Sequence, residues 1–226
     1  NWTFVNVTIT ETNPTNITFR LYNSTSNVNT TTFSMSSQTA NNSINITNLI
    51  DGVYTYNVTI TDLANQQNTT ATRTITLDTT NPNATLVSPT NNTYANASSQ
   101  NYTVNASDNL GLNNGTLFIY NATDSLINQT VTTLNGAVNT VIGTVVTLID
   151  GVYKWFYRFF DYAGNVFSTG NRTITLDTTF PLISYGTITQ NDGSNVSTNW
   201  IYVNVSITET NPSNLTFRLY NSTSNV

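Results

Sequence analysis

Asparagine is the residue type whose spacing most clearly offers chemistry in this chain of 226 residues. Asn-x-Ser/Thr, with x other than Pro, is the acceptor motif for N-linked glycans, and about 22 copies occur in the sequence. The composition includes 38 Asn, and chance alone would produce about half as many acceptors. A Thr-rich β protein that contains duplicated segments could still accumulate such motifs by accident.

The positions of the acceptors argue against accident. Asn6, Asn105 and Asn204 occupy the same outward-facing place in three similar segments, although Asn is disfavoured in strands. We therefore expect N-linked glycans, which would also hydrate a surface that has few ions, since only 8% of residues are charged. The expected sites are Asn6, Asn16, Asn23, Asn105, Asn114, Asn121, Asn204, Asn214 and Asn221.

Carboxylates are the second candidate for chemistry. Six aspartates recur at strand ends and at the junction of repeats, where oxygen ligands could hold calcium: Asp51, Asp62, Asp78, Asp150, Asp161 and Asp177. Asp in Asp-Gly and Asp-x-x-Gly turns more commonly accepts backbone hydrogen bonds, and no dense Asp-x-Asp loop occurs. The sequence therefore favours turn-forming aspartates, no metal site and no cofactor, and a chelator is expected to leave stability unchanged.

The composition also excludes several classes of protein. The chain contains no His and no Cys, which removes the usual zinc and haem sites and the Ser-His and Cys-His nucleophiles. Six basic residues are too few for a nucleic-acid-binding stripe. No apolar run is long enough for a membrane helix, and the only two Glu, Glu11 and Glu209, are repeat equivalents. We expect no enzymatic activity, no nucleic-acid partner and no membrane span.

An aromatic run from Val152 to Asp161 is the third candidate. Period-2 alternation places one set of rings on a buried strand face: Tyr153, Trp155, Tyr157 and Phe159. The other set would face outward, as a possible contact between units: Lys154, Phe156, Arg158 and Phe160. The alternative is that loops of the same unit cover these outward rings, and the sequence does not decide between the two.

Internal repeats determine the organisation of the chain. Residues 1–28 closely match 199–226, and the segment Arg73–Thr80 is identical to Arg172–Thr179, so the repeating unit has about 99 residues. Pro after each Leu-Asp-Thr-Thr marks the start of the next unit. We expect a unit lacking its first strand at 1–80, a complete unit at 81–180 and the first half of a third at 181–226. The sequence is thus expected to be a window on a longer repetitive protein.

Each unit is predicted to be a β-sandwich. Residues alternate between apolar and polar along several short segments, such as Val5–Ile9 and Tyr54–Ile60, and no window has a helical period. About seven short strands per unit, separated by turn signals, are typical of an Ig-like sandwich. Asn135-Gly136 between two β-rich segments predicts a tight hairpin.

The end of each unit resembles the last two strands of Ig-like modules in archaeal and bacterial cell-surface proteins. The similar residues are Asp150–Tyr153, Asp161–Asn165 and Arg172–Pro181, whereas the first unit has Asp62–Gln66 in place of the usual Gly-Asn turn. Such modules serve as S-layer units, filaments, spacers and adhesins. The resemblance implies an extracellular, self-associating structural protein of a filament, sheath or surface layer, or alternatively the stalk of an adhesin whose binding tip lies elsewhere.

Overall fold

In the part of the chain that the structure describes, all regular secondary structure consists of β-strands. The structure is a computed structural model and describes residues 2–38 and 41–221, among which there is no helix. The first seven strands, called here the first module, are β1 (Trp2–Asn6), β2 (Pro14–Tyr22), β3 (Asn27–Ser34), β4 (Ser43–Thr47), β5 (Gly52–Asp62), β6 (Gln67–Thr69) and β7 (Arg73–Leu77).

The second module begins with two short strands that the first module lacks, and its next two strands are much longer. The second module comprises β8 (Asn83–Ser88), β9 (Thr93–Ala95), β10 (Ser99–Asn121), β11 (Leu126–Thr147), β12 (Gly151–Asp161), β13 (Val166–Ser168) and β14 (Arg172–Leu176). Two further strands, β15 (Leu182–Tyr185) and β16 (Val205–Thr208), pair with each other in antiparallel orientation.

Two long bent strands form both layers of the second module. The first part of β10 pairs with β8 and with the end of β11, whereas its second part pairs with β12 and with the start of β11. In the first module the same two layers are made by separate strands, since β1 pairs with β4 and β2 lies between β3 and β5. The predicted fold class, all-β with tandem Ig-like sandwiches, is confirmed.

The row of aromatic side chains on β12 that was predicted to be buried forms the centre of the core of the second module. Tyr153, Trp155, Tyr157 and Phe159 are at most 5% exposed. The ring of Trp155 packs edge-on against Tyr102 of the other layer, with centroids 5.0 Å apart. The Tyr157 hydroxyl donates a hydrogen bond to the Tyr102 carbonyl at 2.9 Å. This row therefore joins the two layers both by packing and by a polar contact.

Asn135-Gly136 does not form the predicted hairpin. Strand β11 continues through both residues, which adopt positive φ angles of 51° and 81°. The partner of Leu112 is Ala137, while the partner of Asn114 is Thr133, so β11 has extra residues here. The left-handed dihedral angles that Asn-Gly favours therefore form a bulge inside β11 and not a hairpin turn. This bulge lies beside Leu112, where the pairing of β10 with β11 is also irregular.

The Arg of the repeated Arg-Thr-Ile-Thr-Leu segment has a structural role in the second module. The guanidinium of Arg172 donates hydrogen bonds to three carbonyls at the end of β8, those of Leu86, Val87 and Pro89, at 2.7–3.0 Å. These bonds attach the first strand of the module to its last strand, across the two layers.

Gly115 provides a test of core packing in the second module. A Cβ added at this position would lie 2.5 Å from Cε1 of the buried Phe159 and 3.2 Å from Cδ1 of Ile142. We predict that Gly115→Ala lowers the free energy of unfolding by about 1–3 kcal/mol, as expected for an overpacked core. Thermal or urea denaturation would measure this change. Gly170→Ala is the control, because its Cβ would meet nothing within 4 Å, and equal effects of the two substitutions would contradict the packing argument.

Candidate functional site

The carboxylate of Asp51 ties the end of β7 to the turn that precedes β5. Its Oδ1 accepts a hydrogen bond from the Thr79 hydroxyl at 2.9 Å, and its Oδ2 accepts one from the Thr80 hydroxyl at 2.7 Å. The Thr80 hydrogen bond is the largest cause that lowers the pKa of Asp51 to about 2. Asn109 of the second module also donates to Oδ2 at 3.3 Å. A turn-forming aspartate thus connects two modules as well.

The same arrangement recurs one repeat later. Asp150 accepts hydrogen bonds from the backbone and hydroxyl of Thr178 and from the hydroxyl of Thr179, at 2.8–3.0 Å. Hydrogen bonds from Thr178 are the main reason that the pKa of Asp150 is lowered. In each repeat, the Asp-Gly turn therefore binds the two threonines of the Leu-Asp-Thr-Thr segment that leaves the module.

The turn after β12 contributes to the joint between the two modules. Both oxygens of Asp161 accept hydrogen bonds from Asn165, Oδ1 from its backbone at 2.9 Å and Oδ2 from its Nδ2 at 2.8 Å. The same Nδ2 donates to the backbone carbonyl of Asp78 at 3.1 Å. The Gly-Asn turn of the resemblance thus binds the linker that leaves the first module.

The first module closes its equivalent turn with different residues. Oδ1 of Asp62 accepts hydrogen bonds from the backbones of Ala64 and Gln66, both at 2.8 Å. Asn65 adopts the left-handed conformation at φ 62° that Gly164 has at φ 91° in the second module. Asn tolerates this conformation better than most residues, so the turn is kept even though the Gly-Asn sequence is absent.

Three carboxylates from separate parts of the chain meet at the joint between the modules. This acidic cluster consists of Asp78 in the linker, Asp108 in β10 and Asp161 at the end of β12, and one oxygen of each lies within 4.8 Å of the others. Like charges at that separation repel by roughly 3 kcal/mol per pair at an effective dielectric constant of 20. Burial raises the pKa of Asp78, and the charges of Asp108, Asp161 and Asp51 add to the rise.

The sequence predicted part of this cluster. Asp78 and Asp161 were assigned to turns and do accept turn hydrogen bonds, such as that from Thr80 N to Asp78 Oδ1 at 3.1 Å. Asp108 was missed, because it has no counterpart among the repeated aspartates. The signal that could have found it is Asp108 followed by Gly111, a pair typical of a turn inside a predicted strand.

The nine expected glycan sites differ in accessibility. Asn6, Asn23, Asn105, Asn214 and Asn221 are exposed. Asn16, Asn114, Asn121 and Asn204 are partly buried. In two motifs the Thr hydroxyl donates to the acceptor Asn Oδ1, from Thr25 to Asn23 at 3.0 Å and from Thr123 to Asn121 at 2.8 Å.

The four residues expected at an interface lie on the outward side of β12. Phe156 and Phe160 are partly buried, and Phe156 stacks on Phe118 of β10 at 5.1 Å between ring centroids. Tyr120 of β10 also stacks on Phe156, with ring centroids 6.2 Å apart, so Phe118 and Tyr120 are two further rings that were not predicted to lie here. These four rings are called the aromatic face below.

Two basic residues border the aromatic face. Arg158 lies over the Phe118 ring at 5.5 Å, and Lys154 forms a 2.7 Å ion pair with Asp124. In the first module the corresponding strand face carries Thr55, Asn57, Thr59 and Thr61. The apolar surface is therefore particular to the second module.

No protein-family model matches the chain, and no curated protein sequence does. Similar solved structures include fibronectin(III)-like modules of CbhA from Clostridium thermocellum, at 14% identity and a TM-score of 0.37, with 75% of this chain and 80% of that chain covered. A tetra-tandem repeat from the extending region of a large adhesion protein has 18% identity and a TM-score of 0.43, with 78% and 45% covered.

A third similar structure is that of a 1.5-MDa bacterial ice-binding adhesin, described for its retention at a host cell surface. It has 18% identity and a TM-score of 0.32, with 77% of this chain and 59% of that chain covered. These likenesses concern the fold. Within the described residues, no helix has the length and apolar character needed to cross a membrane.

The hydrogen bonds of Asp51 predict how stability depends on pH. A folded-state pKa of about 2, below the usual 3.8 of an aspartate, means that the carboxylate stabilises the fold above pH 3.8 and that this contribution disappears as the pH falls towards 2. We predict that wild type melts at a higher temperature than Asp51→Asn at pH 7, and that the difference vanishes near pH 2. Asp150→Asn should follow the same trend, and a difference that persists unchanged in acid would contradict the prediction.

Proposed function

We propose that this chain is a structural, non-enzymatic subunit of an extracellular, N-glycosylated filament, sheath or surface layer built from tandem Ig-like repeats. The observation that carries the proposal is the way in which each module holds the linker that follows it. The Asp-Gly turn holds the linker through two threonines, and the same arrangement occurs around Asp51 and around Asp150. A linker held in the same way after each module favours a regular head-to-tail array of modules, which is what an extended structural protein requires.

The surface composition supports an extracellular setting for this array. Exposed acceptor motifs recur on equivalent strands at Asn6 and Asn105, where a glycan could extend away from both cores. A chain with 8% charged residues needs another source of surface hydration, and glycans provide it without ions.

The aromatic face supports lateral self-association of the array. Phe118 and Tyr120 stack on Phe156, yet Phe156 and Phe160 keep part of their surface exposed. Contiguous apolar surface with a polar rim is typical of interaction sites. We propose that a second copy of the chain packs against this face.

The stalk of a cell-surface adhesin is the second candidate function. Asp51 and Asp150 each hold the linker that leads to the next module, and a stalk would use the same linkers without lateral contacts. Negative-stain microscopy of native material distinguishes the two functions. Regular polymers with lateral order would support the filament or layer, whereas isolated thin projections would favour the stalk.

We predict that the nine sites named above carry glycans in native material, most completely at Asn6, Asn105 and the other exposed positions. Mass spectrometry of glycopeptides measures the occupancy of each site. Asn135 and Asn139 serve as internal controls because neither begins an acceptor motif. Unmodified peptides for all nine sites would contradict the glycoprotein proposal.

We predict that replacing Phe156 and Phe160 together by Thr leaves the sandwich folded but weakens assembly. Burial of one Phe contributes roughly 1.5–3 kcal/mol, and every subunit of a polymer would lose that contribution. Sedimentation and microscopy measure assembly, while circular dichroism checks the fold. Val141→Thr with Val145→Thr is the control, since these two residues are 68% and 65% exposed on β11. Assembly equal to that of wild type would contradict the self-association proposal.

A further inference from the structure

We propose that the acidic cluster of Asp78, Asp108 and Asp161 binds a calcium ion and thereby joins the first module to the second. The three residues come from the linker, from the bend in β10 and from the end of β12. An ion held by all three would connect the linker to two strands of the second module. This inference replaces the expectation from sequence that the aspartates form turns alone.

An unsatisfied buried oxygen provides an independent indication of a ligand. Asp108 is 9% exposed, and its Oδ2 accepts hydrogen bonds from the backbones of Leu110 at 3.0 Å and Gly111 at 2.7 Å. Its Oδ1 is buried and has no hydrogen-bond partner. A buried carboxylate oxygen without a donor is costly, and coordination to a cation would satisfy it.

Basic side chains do not neutralise the cluster in the part of the chain that the structure describes. The ion pair found there joins Lys154 to Asp124, on the outward side of β12. Arg172 is bonded to carbonyls of β8, and Arg158 contacts Phe118 and Ser168. Three carboxylates, of which Asp161 is 1% exposed, therefore face one another without a protein cation.

The donor atoms favour calcium among the common metal ions. The cluster offers only carboxylate oxygens, which suit hard cations rather than zinc or copper. Calcium–oxygen distances of about 2.4 Å place ligands on opposite sides of the ion roughly 4.8 Å apart, and the observed oxygens all lie within 4.8 Å of one another. Water would complete the coordination shell.

The repeat supplies a matched control for each step of the test. Asp78 and Asp177 lie in identical Leu-Asp-Thr-Thr segments, and each accepts a backbone hydrogen bond from the Thr two residues later, at 3.1 and 3.2 Å. Asp177 does not belong to a three-carboxylate group among the described residues. Replacement by Asn keeps the turn acceptor at both positions and removes one charge. Oδ2 of Asp177 also accepts a hydrogen bond from Asn211 at 3.1 Å, whereas Asp78 contributes a carboxylate oxygen to the acidic cluster.

Isothermal titration calorimetry of the unglycosylated 226-residue chain with calcium chloride tests the proposal. We expect wild type and Asp177→Asn to bind one ion with a dissociation constant of about 10⁻⁴–10⁻³ M, the range of extracellular modules. Asp78→Asn should bind at least roughly tenfold more weakly, because affinity follows the number of charged ligands. Asp108→Asn should lose affinity similarly while its turn acceptor is retained. Wild-type affinity in Asp78→Asn, or no binding by wild type, would overturn the proposal.

Thermal unfolding provides a second test, in which the difference in melting temperature between wild type and Asp78→Asn should change sign between EDTA and calcium. In excess EDTA, Asp78→Asn should melt at or above the wild-type temperature because one of three like charges is removed. In calcium, wild type should melt at the higher temperature. The same ranking in both conditions would overturn the site, and equal stabilisation by magnesium would overturn its assignment to calcium. These measurements concern the isolated chain, so their outcome does not depend on whether the protein forms filaments.

Discussion

The bend of β10 at Asp108–Gly111 is the constraint on which the second module depends. The carboxylate of Asp108 accepts the backbone hydrogen bonds of Leu110 and Gly111 and thereby stabilises the bend. A Cβ at Gly111 would lie 2.8 Å from the carbonyl oxygen of Gly136, so the two bent strands approach each other closely only because this residue is glycine. The bend lets one strand serve both layers, and it also places Asp108 beside Asp161.

A comparison of β5 with β12 shows which strand positions differ between the two modules. The buried rows of β5 and β12 are both apolar, with Tyr54 and Val58 in one and Tyr153 and Tyr157 in the other. The outward rows differ completely, since Thr and Asn in the first module are replaced by aromatic and basic residues in the second. Because the apolar core is built from the inner row, the outer row can change its chemistry and acquire a function such as glycan attachment or self-association.

Local patterns were sufficient to predict most of the fold. Alternation along β12 identified every buried ring correctly, because a strand with one wet face repeats every two residues. Asn135-Gly136 was misassigned, since the same left-handed dihedral angles serve a hairpin or a bulge and only the pairing with β10 decides between them. Asp108 was missed for a related reason. Its importance arises from Asp78 and Asp161, which lie 30 and 53 residues away in the chain.

The distribution of charge indicates what the aspartates do in this protein. Only 8% of the residues are charged, so ionised side chains are sparse in this chain. Four aspartates nevertheless gather around a single joint, namely Asp51, Asp78, Asp108 and Asp161. Concentrating like charges at one place is unfavourable unless donors or a cation compensate them. Threonine hydroxyls compensate Asp51, whereas the buried Oδ1 of Asp108 has no donor, and this difference separates the hydrogen-bonded part of the joint from the part that a cation would complete.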